Sequence, residues 1–99
     1  MDPSVVKNFI KTHGLETTPE ARYIDLVSEM GELGKEMLKA TNYGKAPWQA
    51  TPDTAMELGD CLFSLLALAS ALDVDANTAL TAAIDKYQTR FVQKGHIGS

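Results

Sequence analysis

The stretch Thr51-Pro52-Asp53-Thr54-Ala55-Met56-Glu57-Leu58-Gly59-Asp60-Cys61-Leu62-Phe63-Ser64-Leu65-Leu66-Ala67-Leu68-Ala69-Ser70-Ala71-Leu72 decides the fold. A threonine before a proline is a helix start: the first residue caps, and the second tolerates the first helical position because its missing N–H has no partner there anyway. At roughly 100° per residue, Leu58, Leu62, Phe63, Leu65, Leu66, Leu68 and Leu72 point in nearly all directions around the axis. A helix apolar on all sides must be surrounded, and a chain of 99 residues with four helices can hardly enclose it alone. The expectation is a homodimer, or a tetramer, in which copies of this helix face one another. Its only polar wedge is Asp53, Glu57, Asp60 and Ser64, spaced i, i+4, i+7, i+11.

Outward from this helix, the punctuation is helical. Asp2-Pro3 starts a first helix that carries Val5, Val6, Phe9 and Ile10 and stops at His13-Gly14. Thr18-Pro19 starts a second, running to about Thr41, and Asn42-Tyr43-Gly44 opens a loop through Pro47 and Trp48. Asp75 caps a fourth from Ala76 to about Val92, with Gly95 beyond and a flexible tail expected over 93–99. No stretch alternates with a period of two long enough to make a strand. The class is all-α, one domain over residues 1–99. On the second helix, Leu26, Met30, Leu33 and Met37 fall on one narrow apolar stripe, flanked by Asp25, Glu29, Glu32 and Glu36.

Composition bounds the function. Hydrophobic residues make up 44% of the chain and the net charge is −4, so a packed core is possible and a phosphate-neutralising basic face is absent. Nucleic acid is therefore not an expected partner. The single cysteine, Cys61, excludes an internal disulfide and fits a reducing compartment. The N-terminal residues show no basic segment followed by an apolar one. The longest apolar run, Cys61 to Leu72, falls short of the roughly 20 residues of a membrane span. The expected location is the cytoplasm, with no membrane partner.

The chemistry sits in acids. Glu29 and Glu32 are three apart on one helix, and Glu57 and Asp60 repeat that spacing on the next. A connection of about ten residues commonly joins antiparallel neighbours, which would set Glu32 level with Glu57 and Glu29 level with Asp60. Acids on the second helix alone would read as a solvated face. Glu57 and Asp60, set among leucines, do not. Four converging carboxylates repel one another and lose solvation, which raises their pKa values unless a divalent cation intervenes. An all-oxygen set favours Mg²⁺, with Mn²⁺ as a substitute, over zinc.

The segments Leu26-Val27-Ser28-Glu29-Met30-Gly31-Glu32-Leu33 and Met56-Glu57-Leu58-Gly59-Asp60-Cys61-Leu62-Phe63 resemble the paired E-x-x-E and E-x-x-D motifs of MazG-like nucleotide pyrophosphohydrolases. Lys86-Tyr87-Gln88-Thr89-Arg90-Phe91 is similar to the basic ending of that family. Two departures are Ser28 and Met56, where such proteins often carry a further Glu. The resemblance implies a four-helix bundle that dimerises or tetramerises. It also implies metal-dependent cleavage of (deoxy)nucleoside triphosphates to monophosphate and pyrophosphate, for house-cleaning or pool control. Glu29, Glu32, Glu57 and Asp60 would then be the catalytic metal ligands, and Lys86 and Arg90 would meet phosphate oxygens. Water activated by the metal would attack the α-phosphorus, with one carboxylate, for instance Glu32, taking its proton.

Other residues carry two readings each. Lys86 and Arg90 form a phosphate clamp, or complement a helix C-terminus. Trp48 stacks on a base, or anchors its loop. Asp25, Glu36 and Asp53 either extend the acidic site or, as expected, occupy solvated outer positions. Cys61 fills core space, and His13 ends a helix. The competing functions are a phosphoribosyl-ATP pyrophosphohydrolase-like enzyme and a non-catalytic helical dimer or regulatory module in which metal only stabilises.

Overall fold

The computed structural model describes residues 1–98 and contains four helices: α1 (Ser4–Thr12), α2 (Pro19–Ala40), α3 (Pro52–Ala71) and α4 (Ala76–Lys94). No strand occurs among the described residues. The helix starts fall on the signals in the sequence. Thr18 Oγ1 accepts from the Ala21 N–H at 3.2 Å, with Pro19 at the first helical position. Asp75 accepts from the Thr78 N–H at 2.8 Å. Thr51 has the extended backbone of a cap, but its hydroxyl is used elsewhere and caps nothing. α4 runs to Lys94, two residues past the expected end, and stops where Gly95 turns left-handed at φ 76°. Of the expected tail, Ser99 lies outside the described residues.

The α2–α3 connection begins with three successive left-handed residues, Asn42, Tyr43 and Gly44, at φ 48°, 57° and 83°. Glycine and asparagine tolerate this conformation, whereas a tyrosine is strained by it. The Tyr43 N–H is satisfied by the Leu38 carbonyl at 2.6 Å and the Gly44 N–H by Thr41 Oγ1 at 3.1 Å. The chain is thereby reversed and α3 returns along α2.

Two helix pairs pack among the described residues: α2 with α3, and α1 with α3. α1 docks through Ile10, 5% exposed, and through Phe9, whose ring meets Phe63 edge-on at 5.8 Å. α4 packs extensively on none of the other three, so the expected four-helix bundle is not closed within one chain. The apolar stripe expected on α2 is also displaced. Met30 and Met37 are exposed, and the covered stripe is Arg22, Leu26, Glu29, Leu33, Glu36 and Ala40. The face turned inward is rotated towards the acids, because α3 lies on that flank.

The core is thin, with Ile10, Ala40, Cys61 and Ala67 its buried apolar residues. The radius of gyration is 16.6 Å, against about 13 Å for a compact domain of this length. α3 is 20 residues long and, by length and composition alone, apolar enough to cross a membrane. A core helix passes the same test of length and composition. Of the polar wedge on α3, Glu57, Asp60 and Ser64 lie towards α2, while Asp53 is exposed. Ile10→Ala should lower unfolding free energy by about 2–5 kcal/mol, as for other aliphatic truncations in a core; urea denaturation at matched protein concentration measures it.

Candidate functional site

The covered stripe of α2 meets a row made of the cap residue Thr51 and of Thr54, Glu57, Cys61 and Ser64 on α3. Thr51 Oγ1 donates to Glu36 Oε1 at 2.9 Å, and the Gln49 N–H donates to the Ala40 carbonyl at 3.0 Å. Going back along α2 from Glu36 to Glu29 therefore goes with advancing along α3 from Thr51 to Glu57 and Asp60. The helices are antiparallel, as their connection suggested.

Glu29, Glu57 and Asp60 each offer a carboxylate oxygen, and these oxygens lie within 4.8 Å of one another. Glu29 and Glu57 are half-buried. Loss of solvation raises the Glu57 pKa above its usual 4.5, and the charges of Asp60, Glu32, Glu29 and Glu36 push it further in the same direction. The buried Cys61 thiol is likewise pushed up, first by burial and then by Glu29, Glu57 and Asp60. No cation relieves this: among the described residues the one ion pair is Arg22 with Asp25, at 3.9 Å on the α2 surface. Three convergent carboxylate oxygens suit a hard divalent ion such as Mg²⁺, which binds through few protein ligands and keeps several waters.

Glu32 sits differently from expectation. It is exposed, and Glu29 instead meets both Glu57 and Asp60. A three-residue step leaves Glu32 about 60° round the helix from Glu29, beside the row but close enough for its charge to act on Glu57. Lys86 and Arg90 are not brought to the acids within one chain, because α4 packs extensively on neither acidic helix. Lys86 Nζ lies 4.7 Å over the Tyr87 ring, and Arg90 donates to the Ile97 carbonyl at 3.3 Å. Trp48 is half exposed in its loop. Asp25 and Asp53 are exposed, as expected.

The correction is Glu36. Expected in solvent, it is 9% exposed and bound by Thr51. The signal was present in the sequence, since Glu36 lies two turns from Glu29 and so shares its face.

The family model of the MazG nucleotide pyrophosphohydrolase domain matches residues 17–93. The chain belongs to this family. The matched span holds both acidic helices and nearly all of α4, while α1 lies outside it. The MazG chain is also similar to the uncharacterized protein YpjD of Bacillus subtilis (strain 168), at 37% identity over 76 residues, covering 74% of this chain and 67% of the relative. No solved structure matches it.

The raised Glu57 pKa has a consequence for stability. In the folded state the acid holds its proton to higher pH than in the unfolded chain. Its contribution is therefore fully present below the usual value of 4.5 and lost as pH rises through the folded value. Glu57→Gln, which cannot ionise, should raise the metal-free melting temperature at pH 7 and flatten its decline above pH 4.5. Thermal scans in chelator across pH measure both.

Proposed function

We propose that the chain is a Mg²⁺-dependent nucleoside triphosphate pyrophosphohydrolase that cleaves a (d)NTP to a (d)NMP and pyrophosphate. The observation that carries this reading is the convergence of Glu29, Glu57 and Asp60 across two helices with no cation beside them. Within the MazG family, an acidic cluster of this kind suits a divalent ion shared with a polyphosphate.

Glu29, Glu57 and Asp60 would hold the ion, and Glu32, exposed at the edge of the row, would be available as a further ligand. When bound, Mg²⁺ supplies Lewis acidity, screens the phosphate charge and lowers the pKa of water. The Glu32 carboxylate takes up the proton of the water that attacks the α-phosphorus, and pyrophosphate leaves. Lys86 and Arg90 meet the phosphate oxygens, the arginine as a planar fork and the lysine as a point charge. Trp48 stacks on the base.

For α4 to take part, the assembly must be larger than one chain. The solvent-accessible surface is 7316 Å², whereas a compact monomer of this mass exposes about 5,500 Å². The excess is of the order that one protomer buries in an obligate homodimer. Leu58, Leu62 and Leu65 of α3, Leu72 just after it, and Leu80, Ile84, Tyr87 and Phe91 of α4 are all exposed in the single chain. We read them as the surface of a homodimer, or of a tetramer built from it.

The test is a panel of canonical and modified (d)NTPs, with phosphoribosyl-ATP included, assayed with Mg²⁺ for pyrophosphate and orthophosphate. Pyrophosphate release from a (d)NTP should fall at least ~100-fold in Glu57→Gln, the scale of losing a group that acts on transition-state charge. The variant should elute at the wild-type size. Equal turnover by both forms, or orthophosphate as the product, contradicts the reading.

A further inference from the structure

Glu36 is more than nine-tenths buried and has no cation within ion-pair distance among the described residues. A buried carboxylate beside other carboxylates is destabilising unless hydrogen bonds compensate it. Its partner is Thr51, the residue before the first turn of α3, whose hydroxyl donates to Glu36 Oε1 at 2.9 Å. Thr51 and Thr54 are joined through their hydroxyls at 3.1 Å. Because Thr51 has a single hydroxyl hydrogen and gives it to Glu36, Thr54 is the donor in that second bond. The result is a chain from Thr54 through Thr51 to Glu36, in which each bond polarises the next.

This chain has a cost at the helix start. A threonine in the cap position normally accepts from a backbone N–H of the first turn, as Thr18 does on α2. Thr51 gives no such cap, and α3 begins without one. Its hydroxyl ties the start of α3 sideways to α2, at one end of the carboxylate row. Glu57 follows two turns later on the face that Thr54 shares, and Asp60 lies one turn beyond.

We propose that Glu36, through its hydrogen bond with Thr51, is a positioning residue that sets the axial register of α3 on α2 and so holds Glu57 and Asp60 within reach of Glu29. The proposal rests on reading that cluster as the metal site. It assigns Glu36 no contact with the metal. What matters is an acceptor at Oε1 and a donor at residue 51.

The substitutions separate these roles. Mn²⁺ binding to the full chain is measured by calorimetry, without nucleotide, for Glu36→Ala, Glu36→Gln, Thr51→Val, Thr51→Ser and the double variant Glu36→Ala/Thr51→Val. Loss of a group that orients metal ligands typically weakens binding roughly 10–100-fold. Glu36→Ala and Thr51→Val should each do so. The double variant should be no worse than either single one, because both break one bond. Glu36→Gln and Thr51→Ser keep that bond and should bind as wild type. Thr51→Val nearly conserves volume, and circular dichroism checks that each variant keeps its helix content.

Three results overturn the proposal. One is Glu36→Gln failing as badly as Glu36→Ala while Thr51→Val binds normally, which makes the charge a ligand. Another is a lowered melting temperature with unchanged Mn²⁺ affinity, which makes the bond merely structural. The third is a wild-type chain that binds no Mn²⁺, which removes the site itself. The expected affinities in a wild-type protein that releases no pyrophosphate uphold the positioning role and defeat the hydrolase reading alone.

Discussion

Like charges facing each other across one helix pair govern this molecule. α2 and α3 pack through a seam in which acidic side chains replace the usual aliphatic ones, with Glu29 and Glu36 from one helix and Glu57 and Asp60 from the other. Leu26, Leu33, Ala40, Cys61 and Ser64 fill the spaces between them. Apolar contact draws the helices together while the carboxylates push them apart, and burial strengthens both effects by excluding water. A structural seam has no use for such repulsion. A divalent ion held there would convert it into attraction, so in the proposed metal site the instability of the ion-free seam and its affinity for an ion would have one cause.

The same economy explains the rest of the chain. With charge occupying the α2–α3 seam, little apolar surface is left to bury inside a single copy, and the large side chains of α3 and α4 face outward. α1 covers part of α3 through Ile10 and Phe9, and α4 covers none of it to any extent. In the proposed assembly a second copy would supply the missing core and bring the cationic α4 towards an acidic seam.

Much of the fold was legible in the chain. Thr18-Pro19, Thr51-Pro52 and Asp75 mark helix starts because cap chemistry is local, and Gly95 marks an end for the same reason. The all-round leucines of α3 announced a helix needing more cover than one chain provides. The acidic pairs were legible through their three-residue spacing and their resemblance to MazG motifs. What stayed hidden depends on rotation about a helix axis. Leu26, Met30, Leu33 and Met37 formed the obvious stripe, yet the neighbour lies on the acidic flank, which buries Glu36, exposes Met30 and Met37 and leaves Glu32 at the edge. Hydrophobic periodicity locates an apolar face but does not say which edge a partner covers. Thr51 likewise read as an ordinary cap, since its bond to Glu36 spans the connection between the helices.

The most direct test is a crystal structure of the Mn²⁺-soaked protein with anomalous data collected for manganese. The expected result is a peak bounded by the carboxylates of Glu29, Glu57 and Asp60 in every protomer, with the α2–α3 register unchanged. Manganese bound elsewhere, or these three carboxylates turned away from one another with no ion between them, contradicts it.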